Sequence, residues 1–288
     1  MHILITDSGV GGLSVCAYAE RFVRENGAAE PVHLTFANAA PANDYGYNSM
    51  PTREAKIETF DRFLRNVTRR FAPDSIYVAC NTLSVLLPDT PFFAKAPLPV
   101  RGIVETAASL LVAELERDPQ SVAIVFGTQT TIDAGTYPRM LRERGIDASR
   151  IVTQACPGLA DTISEDRAGV KTATEIRGWV DKAIAKMSRT NAPVVASLSC
   201  THYGYRKEVF DAAFEQRGIG ATVINPNESA VDDIFPRRSG EHHDVVVDFV
   251  TRYAIPDTTI DTLTYFLSAI APKTVAAMQH FVHVPDLF

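Results

Sequence analysis

Short apolar runs alternate along the chain with longer segments in which apolar residues recur every three or four positions. The runs are typical of strands buried on both faces, and the longer segments are typical of amphipathic helices. The segment 53–71 shows the helical pattern most clearly, because Ile57, Phe60, Leu64 and Val67 fall on one face. Strands that alternate with helices predict parallel sheets covered by helices, so the expected fold class is α/β.

The pattern predicts strands over 3–7, 32–37, 75–79, 100–104, 122–126, 151–154, 194–198 and 222–224. It predicts helices over 13–23, 53–71, 107–115, 137–144, 173–187 and 207–216.

Two domains of similar design are expected, because the proline-rich stretch 88–99 separates two series of alternating elements. The first domain is predicted to comprise 1–97, completed by 206–288, and the second to comprise 98–205. The polar stretch 237–244, with His242-His243, is typical of a solvated loop. The apolar residues after 245 are predicted to be helical, without an assigned place in the fold.

Two of the predicted strands end in a cysteine that is followed by polar residues, over 77–82 and 197–202. Each follows an earlier strand that ends in a turn of small residues, and Asp7 precedes Cys80 by the same distance as Gly127 precedes Cys200. This pattern indicates an internal duplication with one thiol in each half. Because α/β folds bind ligands at the carboxyl ends of their strands, both cysteines are candidate reactive groups.

Composition excludes several classes of protein. The 288 residues are 46% hydrophobic and 22% charged, which is typical of a globular protein, and the net charge of −6 argues against a nucleic-acid partner. No basic-then-apolar leader and no run long enough to span a membrane is seen. The four cysteines form no C-x-x-C pair, so a reducing cytoplasm is expected.

Three ordered motifs carry a resemblance to a known family. The segments 7–15 (DSGVGGLSV), 79–82 (ACNT) and 200–203 (CTHY) resemble the signature and the two thiol motifs of glutamate racemases, and the resemblance spans 1–233. It implies two pseudo-symmetric α/β domains with the active site in the cleft between them. It also implies interconversion of L- and D-glutamate without a cofactor or metal, which supplies D-glutamate for peptidoglycan and cell wall biogenesis.

The resemblance also implies roles for individual residues. Cys80 and Cys200 match the catalytic thiols, Asp7 the carboxylate that assists the first, and His202 the imidazole that assists the second. The expected partner is a small acidic amino acid, with a homodimer left open as the assembly. Groups that match substrate-binding positions are Ser8, Tyr45, Gly46, Asn81, Thr82 and Thr201.

The residue chemistry supports racemisation independently. One thiolate can take the α-proton from one face of a carbon while the other thiol returns a proton to the opposite face. Both cysteines precede predicted helix starts, so a helix amino terminus is expected to stabilise each thiolate. No lysine lies in a strand-end motif to hold pyridoxal phosphate, the Gly9-x-Gly11-Gly12 spacing does not fit a dinucleotide site, and the cysteine spacings do not fit zinc.

Several positions depart from the family pattern. The loop 37–44 lacks the usual acid and arginine, contains Pro41, and has Asp44 where a proline is usual. The family's glutamate aligns with Ser164, and Glu165 lies one position away. The stretch from 239 does not resemble the family. The thiol pair is intact, so the reaction class is retained while the substrate is in question.

Alternative functions therefore stay open at this stage. The same scaffold could serve an aspartate or hydantoin racemase or a decarboxylase of malonate-type acids, and a protein that kept the cleft could bind a ligand without turnover. A Cys–His–Asp hydrolase is a further alternative. Cys16 and Cys156 are interpreted as buried packing residues.

Overall fold

Parallel pairing joins all the described strands into two sheets, one in each of two compact units. The computed structural model describes residues 1–42, 45–189, 192–235 and 243–288. The first unit contains 1–103 and 227–288, and the second contains 104–226. The predicted α/β class with parallel sheets is confirmed.

The first unit holds a six-stranded sheet and the helices that flank it. Its strands are β1 (His2–Asp7), β2 (Val32–Asn38), β3 (Ser75–Val78), β4 (Val100–Gly102), β9 (Val245–Thr251) and β10 (Val282–His283). Its helices are α1 (Leu13–Asn26), α2 (Arg53–Phe71), α3 (Asn81–Ser84), α4 (Pro91–Ala94), α11 (Pro226–Ile234), α12 (Asp257–Leu267) and α13 (Pro272–Gln279).

The strand order of this sheet is β10-β9-β2-β1-β3-β4, so β1 lies between the strands that follow it in sequence. The register aligns Asp7 with Asn38 and Thr6 with Val78. The last residue of β1 and the residues that follow β3 are therefore brought to one edge, because parallel strands end on the same side of a sheet.

The second unit holds a four-stranded sheet in the order β6-β5-β7-β8. Its strands are β5 (Val122–Gly127), β6 (Ile151–Ala155), β7 (Val194–Ser199) and β8 (Ala221–Ile224). Its helices are α5 (Ile103–Arg117), α6 (Gln129–Asp133), α7 (Thr136–Glu143), α8 (Leu159–Glu165), α9 (Val170–Ile184) and α10 (Lys207–Glu215).

A dense apolar core explains why β5 and β7 form the centre of this sheet. Every residue of both strands is buried, and Phe126 of β5 packs against Phe210 and Phe214 of α10. Such strands have no face for solvent, so they require helices on both sides.

The observed unit boundaries differ from the boundaries expected from the sequence. Residues 206–226 belong to the second unit, because β8 extends its sheet by pairing with β7. Residues 98–103 belong to the first unit, because β4 pairs with β3. Strand pairing decides both boundaries, and a single strand's partner cannot be read from its own sequence.

The segment after 245 begins with a strand, so the expectation that it is helical was wrong for its first part. β9 contains Val245, Val246 and Val247 and pairs with β2. The segment is extended because β-branched residues suit a pleated strand better than a helix. The helices α12 and α13 follow it. In the polar loop predicted over 237–244, residues 237–242, including His242, lie outside the described residues, as does Asp44.

In the described part of the chain, no helix combines the length and apolarity required to cross a lipid bilayer.

The carboxylate of Glu20 fixes the start of α13 to α1. Glu20 is 2% exposed and accepts hydrogen bonds from the backbone N–H groups of Lys273 and Thr274 and from the Thr274 hydroxyl. A carboxylate at a helix amino terminus accepts hydrogen bonds from N–H groups that have no partner within the helix. Its negative charge also interacts favourably with the positive end of the helix dipole.

Replacing Glu20 with alanine is expected to lower the free energy of unfolding by about 2 kcal/mol, because buried N–H groups lose a charged acceptor. Urea denaturation followed by circular dichroism measures the change. The exposed Glu25 of the same helix is the matched control, and its alanine variant should stay within about 0.5 kcal/mol of the parent. Equal stabilities of the two variants would contradict this role of Glu20.

Candidate active site

Cys80 lies at the carboxyl end of β3, where it is the residue that precedes α3. Only 5% of it is exposed, and its Sγ is 3.1 Å from the Oγ of Ser8, which follows β1. The backbone N–H groups of Ser8 and Leu83 also donate to the sulfur. The thiol is therefore held by groups from two neighbouring strand ends.

Burial is the main cause that raises the pKa of the Cys80 thiol to about 12, and the negative charge of Asp7 adds to it. The hydrogen bonds from Ser8 and Leu83 act in the opposite direction but do not offset these effects. The expectation that a helix amino terminus makes a thiolate available was wrong for Cys80, since α3 is only four residues long and the sulfur is removed from water. In the free protein Cys80 is a neutral thiol.

Asp7 occupies the end of β1 and is 1% exposed. Gly12, which precedes α1, lies so close to it that an added Cβ would be 2.7 Å from the Asp7 Cβ and 2.9 Å from its Oδ2. The same Cβ would be 3.1 Å from the Cβ of Ala79. The absence of a side chain at Gly12 is thus what allows the turn after β1 to close over the carboxylate.

The other sequence-predicted residues of this unit lie in two places. Asn81 and Thr82 form the buried first turn of α3, directly after Cys80. Tyr45 is 44% exposed and forms an isolated antiparallel bridge with Ala42, and Gly46 follows it.

Tyr47 is a buried residue of this region that the sequence did not single out. It is 1% exposed, and its hydroxyl has no hydrogen-bond partner among the described residues. Burial raises the pKa of Tyr47 well above its usual value, and the charge of Cys80 raises it further, which indicates that the two side chains are neighbours. Its position two residues after Tyr45 was the only signal in the sequence.

Cys200 lies at the corresponding place in the second unit, directly after β7. It is 6% exposed, and Thr201 after it is 2% exposed. The Sγ of Cys200 is 3.9 Å from the Nδ1 of His202. The second thiol is thus paired with an imidazole, whereas the first is paired with a hydroxyl and a carboxylate.

Burial lowers the pKa of His202 to about 4, so the imidazole is neutral near pH 7. Glu165 lies at the end of α8, where it is exposed. Burial is the main cause that raises the pKa of the nearby Asp161, and the charge of Glu165 adds to it. Among the described residues no carboxylate contributes to the pKa of His202. The neighbouring Ser164 donates its hydroxyl to the carbonyl oxygen of Ala160.

The remaining two cysteines lie in packed regions. Cys16 is fully buried against Thr274, and burial raises its pKa to about 12. Cys156 belongs to the core of the second unit, with Sγ 3.7 Å from the carbonyl oxygen of Gln154. All four cysteines are free thiols.

In the described ranges, no three histidine, cysteine, aspartate or glutamate side chains are grouped so that they could hold a metal ion.

Comparison with models of protein families gave no match. A glutamate racemase of Syntrophus aciditrophicus (strain SB) is 30% identical over 211 residues, which cover 69% of this chain and 67% of that protein. A glutamate racemase from Francisella tularensis subsp. tularensis SCHU S4, solved in complex with D-glutamate, matches at TM-score 0.71 and 18% identity, covering 99% of this chain and 98% of that one. An aspartate racemase from Picrophilus torridus matches at TM-score 0.51 and 16% identity, over 82% of this chain and 95% of that one.

Two parallel sheets, each with a cysteine at the end of a central strand, define an α/β protein of the fold that glutamate and aspartate racemases share. The sequence identity is more specific than the fold. The chain belongs to the glutamate racemase family. The resemblance drawn from the three motifs is confirmed.

Replacing Gly12 with alanine is expected to destabilise the protein by about 1–3 kcal/mol, because the new Cβ would displace the buried Asp7. Gly178, within α9, provides the matched control, since an added Cβ there has no neighbour within 4 Å. Gly178→Ala should leave the stability unchanged or raise it. Chemical denaturation of both variants is the measurement, and no loss of stability in Gly12→Ala would show that the turn adapts.

The depressed pKa of His202 predicts a stability that falls with acidity. The unfolded chain binds a proton on this residue below about pH 6.5, whereas the folded protein does not until about pH 4. Between these values stability is lost as the pH falls, by about 3 kcal/mol in total, of which about 2 kcal/mol is lost by pH 5. Unfolding free energies at pH 7 and pH 5 should therefore differ less in His202→Gln than in the parent. Replacing the exposed His280 with glutamine is the control and should leave the difference unchanged.

Proposed function

We propose that this protein interconverts L- and D-glutamate by moving the α-proton between two thiols, without a cofactor. One observation carries the proposal: each unit presents a buried cysteine at the carboxyl end of a central strand, and each cysteine has its own polar helper. A single-base enzyme or a one-thiol hydrolase would not require this duplication.

In one direction the thiolate of Cys80 takes the α-proton, and Cys200 donates its thiol proton to the opposite face of the resulting carbanion. Cys80 then carries a proton and Cys200 a negative charge, so the reverse reaction begins from the opposite protonation state. The proposal requires that the two sulfurs reach opposite faces of one α-carbon.

The helpers set the protonation states. The raised pKa of Cys80 keeps its proton in the free protein, and it makes the thiolate a strong base once it forms. Because the charge of Asp7 opposes that thiolate, the substrate ammonium group would offset the charge and favour ionisation on binding. For Cys200, the neutral imidazole of His202 is the polar group beside the thiol, and it brings no charge that would oppose a thiolate.

The substrate head group would be held by short polar side chains at the strand ends. Asn81 and Thr82 supply amide and hydroxyl groups beside Cys80, and Thr201 supplies a hydroxyl beside Cys200. Ser8 already contacts the first sulfur, and Tyr45-Gly46 would contribute backbone groups. Hydroxyls and amides bind carboxylates less strongly than a cation does, so a raised KM for glutamate is expected.

We further propose that the reaction takes place in the cytoplasm, where it would supply D-glutamate for the cell wall. The support is that all four cysteines are free and that the proposed reaction uses two of them as reduced thiols.

Cys80→Ala and Cys200→Ala are each expected to abolish racemisation in both directions, with losses of about 10³-fold or more, because each face of the α-carbon loses its acid or base. Polarimetry with L- and D-glutamate, together with solvent deuterium at the α-carbon, measures turnover. Cys16→Ala is the control and should retain turnover despite a packing cost.

Near-normal turnover in either alanine variant would contradict the two-thiol mechanism. Exchange at aspartate rather than glutamate would keep the mechanism and change the substrate. Binding of glutamate without deuterium exchange in the parent protein would identify a binding protein.

A further inference from the structure

The carboxyl-terminal segment adds a residue to the edge of the first sheet where Asp7 and Cys80 lie. β9 pairs with β2 along its length, and its last residue Thr251 lies beside Asn38 at the end of β2. Asn38 is in turn aligned with Asp7 of β1. Tyr253 follows two residues after β9, so the fold brings it to the same edge.

The hydroxyl of Tyr253 is held in place by hydrogen bonds. The Nδ2 of Asn38 donates to it at 3.2 Å, and the Oδ1 of Asn38 is fixed by the backbone N–H of Ala40 at 2.9 Å. The hydroxyl of Thr251 donates to the carbonyl oxygen of Tyr253 at 3.0 Å. Asn38 and Thr251 are fully buried, so this support is shielded from water.

The direction of the hydrogen bond from Asn38 leaves the Tyr253 hydroxyl able to donate its own proton. Because the Tyr253 oxygen accepts from Asn38, its own proton is available for an acceptor, and no described residue accepts it. The side chain is only partly buried, so it is within reach of a ligand. Burial and the charge of Asp7 raise the pKa of Tyr253, so the phenol keeps its proton at neutral pH.

The position of the hydroxyl also fits a particular kind of substrate. Asn38 ends β2 and Cys80 comes after β3, and these strands lie on either side of β1, so two strand spacings of roughly 10 Å separate them. An amino acid whose α-carbon lies at Cys80 would need a side chain that extends across β1 to bring an acceptor to Tyr253. A carboxylate at the end of a methylene chain meets this requirement, and a short apolar side chain does not.

We propose that Tyr253 is a specificity-determining residue that donates a hydrogen bond to the side-chain carboxylate of the substrate. The inference rests on the proposed function and assigns one role within it. It accounts for how an acidic side chain is recognised although the loop 37–41 supplies no arginine.

The test compares Tyr253→Phe, which keeps the ring and removes only the hydroxyl, with Tyr265→Phe on the exposed face of α12. Deuterium exchange at the α-carbon gives kcat and KM for glutamate and for 2-aminobutanoate, which lacks the distal carboxylate. Tyr253→Phe should raise KM for glutamate about tenfold with kcat changed less than threefold. Its exchange of 2-aminobutanoate and its thermal stability should match those of the parent, and Tyr265→Phe should match the parent throughout.

Thr251→Val is a second test of the role of Tyr253, because it removes the hydroxyl that holds the Tyr253 backbone while keeping the side-chain shape. It should raise KM for glutamate, and adding it to Tyr253→Phe should cause little further loss, since both act through one contact. Parental KM in Tyr253→Phe, or an equal loss with both substrates, would overturn the inference while leaving the racemase assignment intact. Absence of glutamate exchange in the parent would overturn both.

Discussion

Burial of the Cys80 thiol beside the Asp7 carboxylate is the interaction on which the first unit's site depends. Two strand ends must lie side by side to create it, and Gly12 must lack a side chain for the turn after β1 to close over Asp7. The result is a thiol whose ionisation is opposed both by desolvation and by a neighbouring charge. Such a group holds its proton until a ligand changes its surroundings, which suits a proton donor that becomes a base only with substrate bound.

In the second unit, different groups surround the thiol. Cys200 lies beside an imidazole that burial keeps neutral, so its partner carries no negative charge to repel a thiolate. Glu165, one position from the residue that aligns with the family's glutamate, has an exposed side chain. The two thiols therefore differ in their helpers although they occupy equivalent positions in their sheets.

The carboxyl-terminal segment shows how a region without recognisable motifs can reach the sheet edge that carries the candidate site. Because β9 pairs in parallel with β2, its carboxyl end lies at the edge of the sheet where ligands bind in α/β folds. The hydrogen bonds from Asn38 to Tyr253 and Thr251 then join this segment to the strand that carries the altered loop. The end of β2 is thereby joined to a residue more than two hundred positions away in the chain.

The sequence by itself determined most of the elements and the two thiol motifs, because hydrophobic periodicity and the Cys80 and Cys200 motifs are local properties of the chain. It predicted α2 at the observed bounds, the parallel sheets and the family. Only the tertiary structure decided which strands pair, and so it placed β8 in the second sheet and made a strand of Val245–Thr251. It also decided the pKa of Cys80 and the position of Tyr253, because desolvation and hydrogen bonding depend on residues that are distant in sequence and adjacent only in the fold.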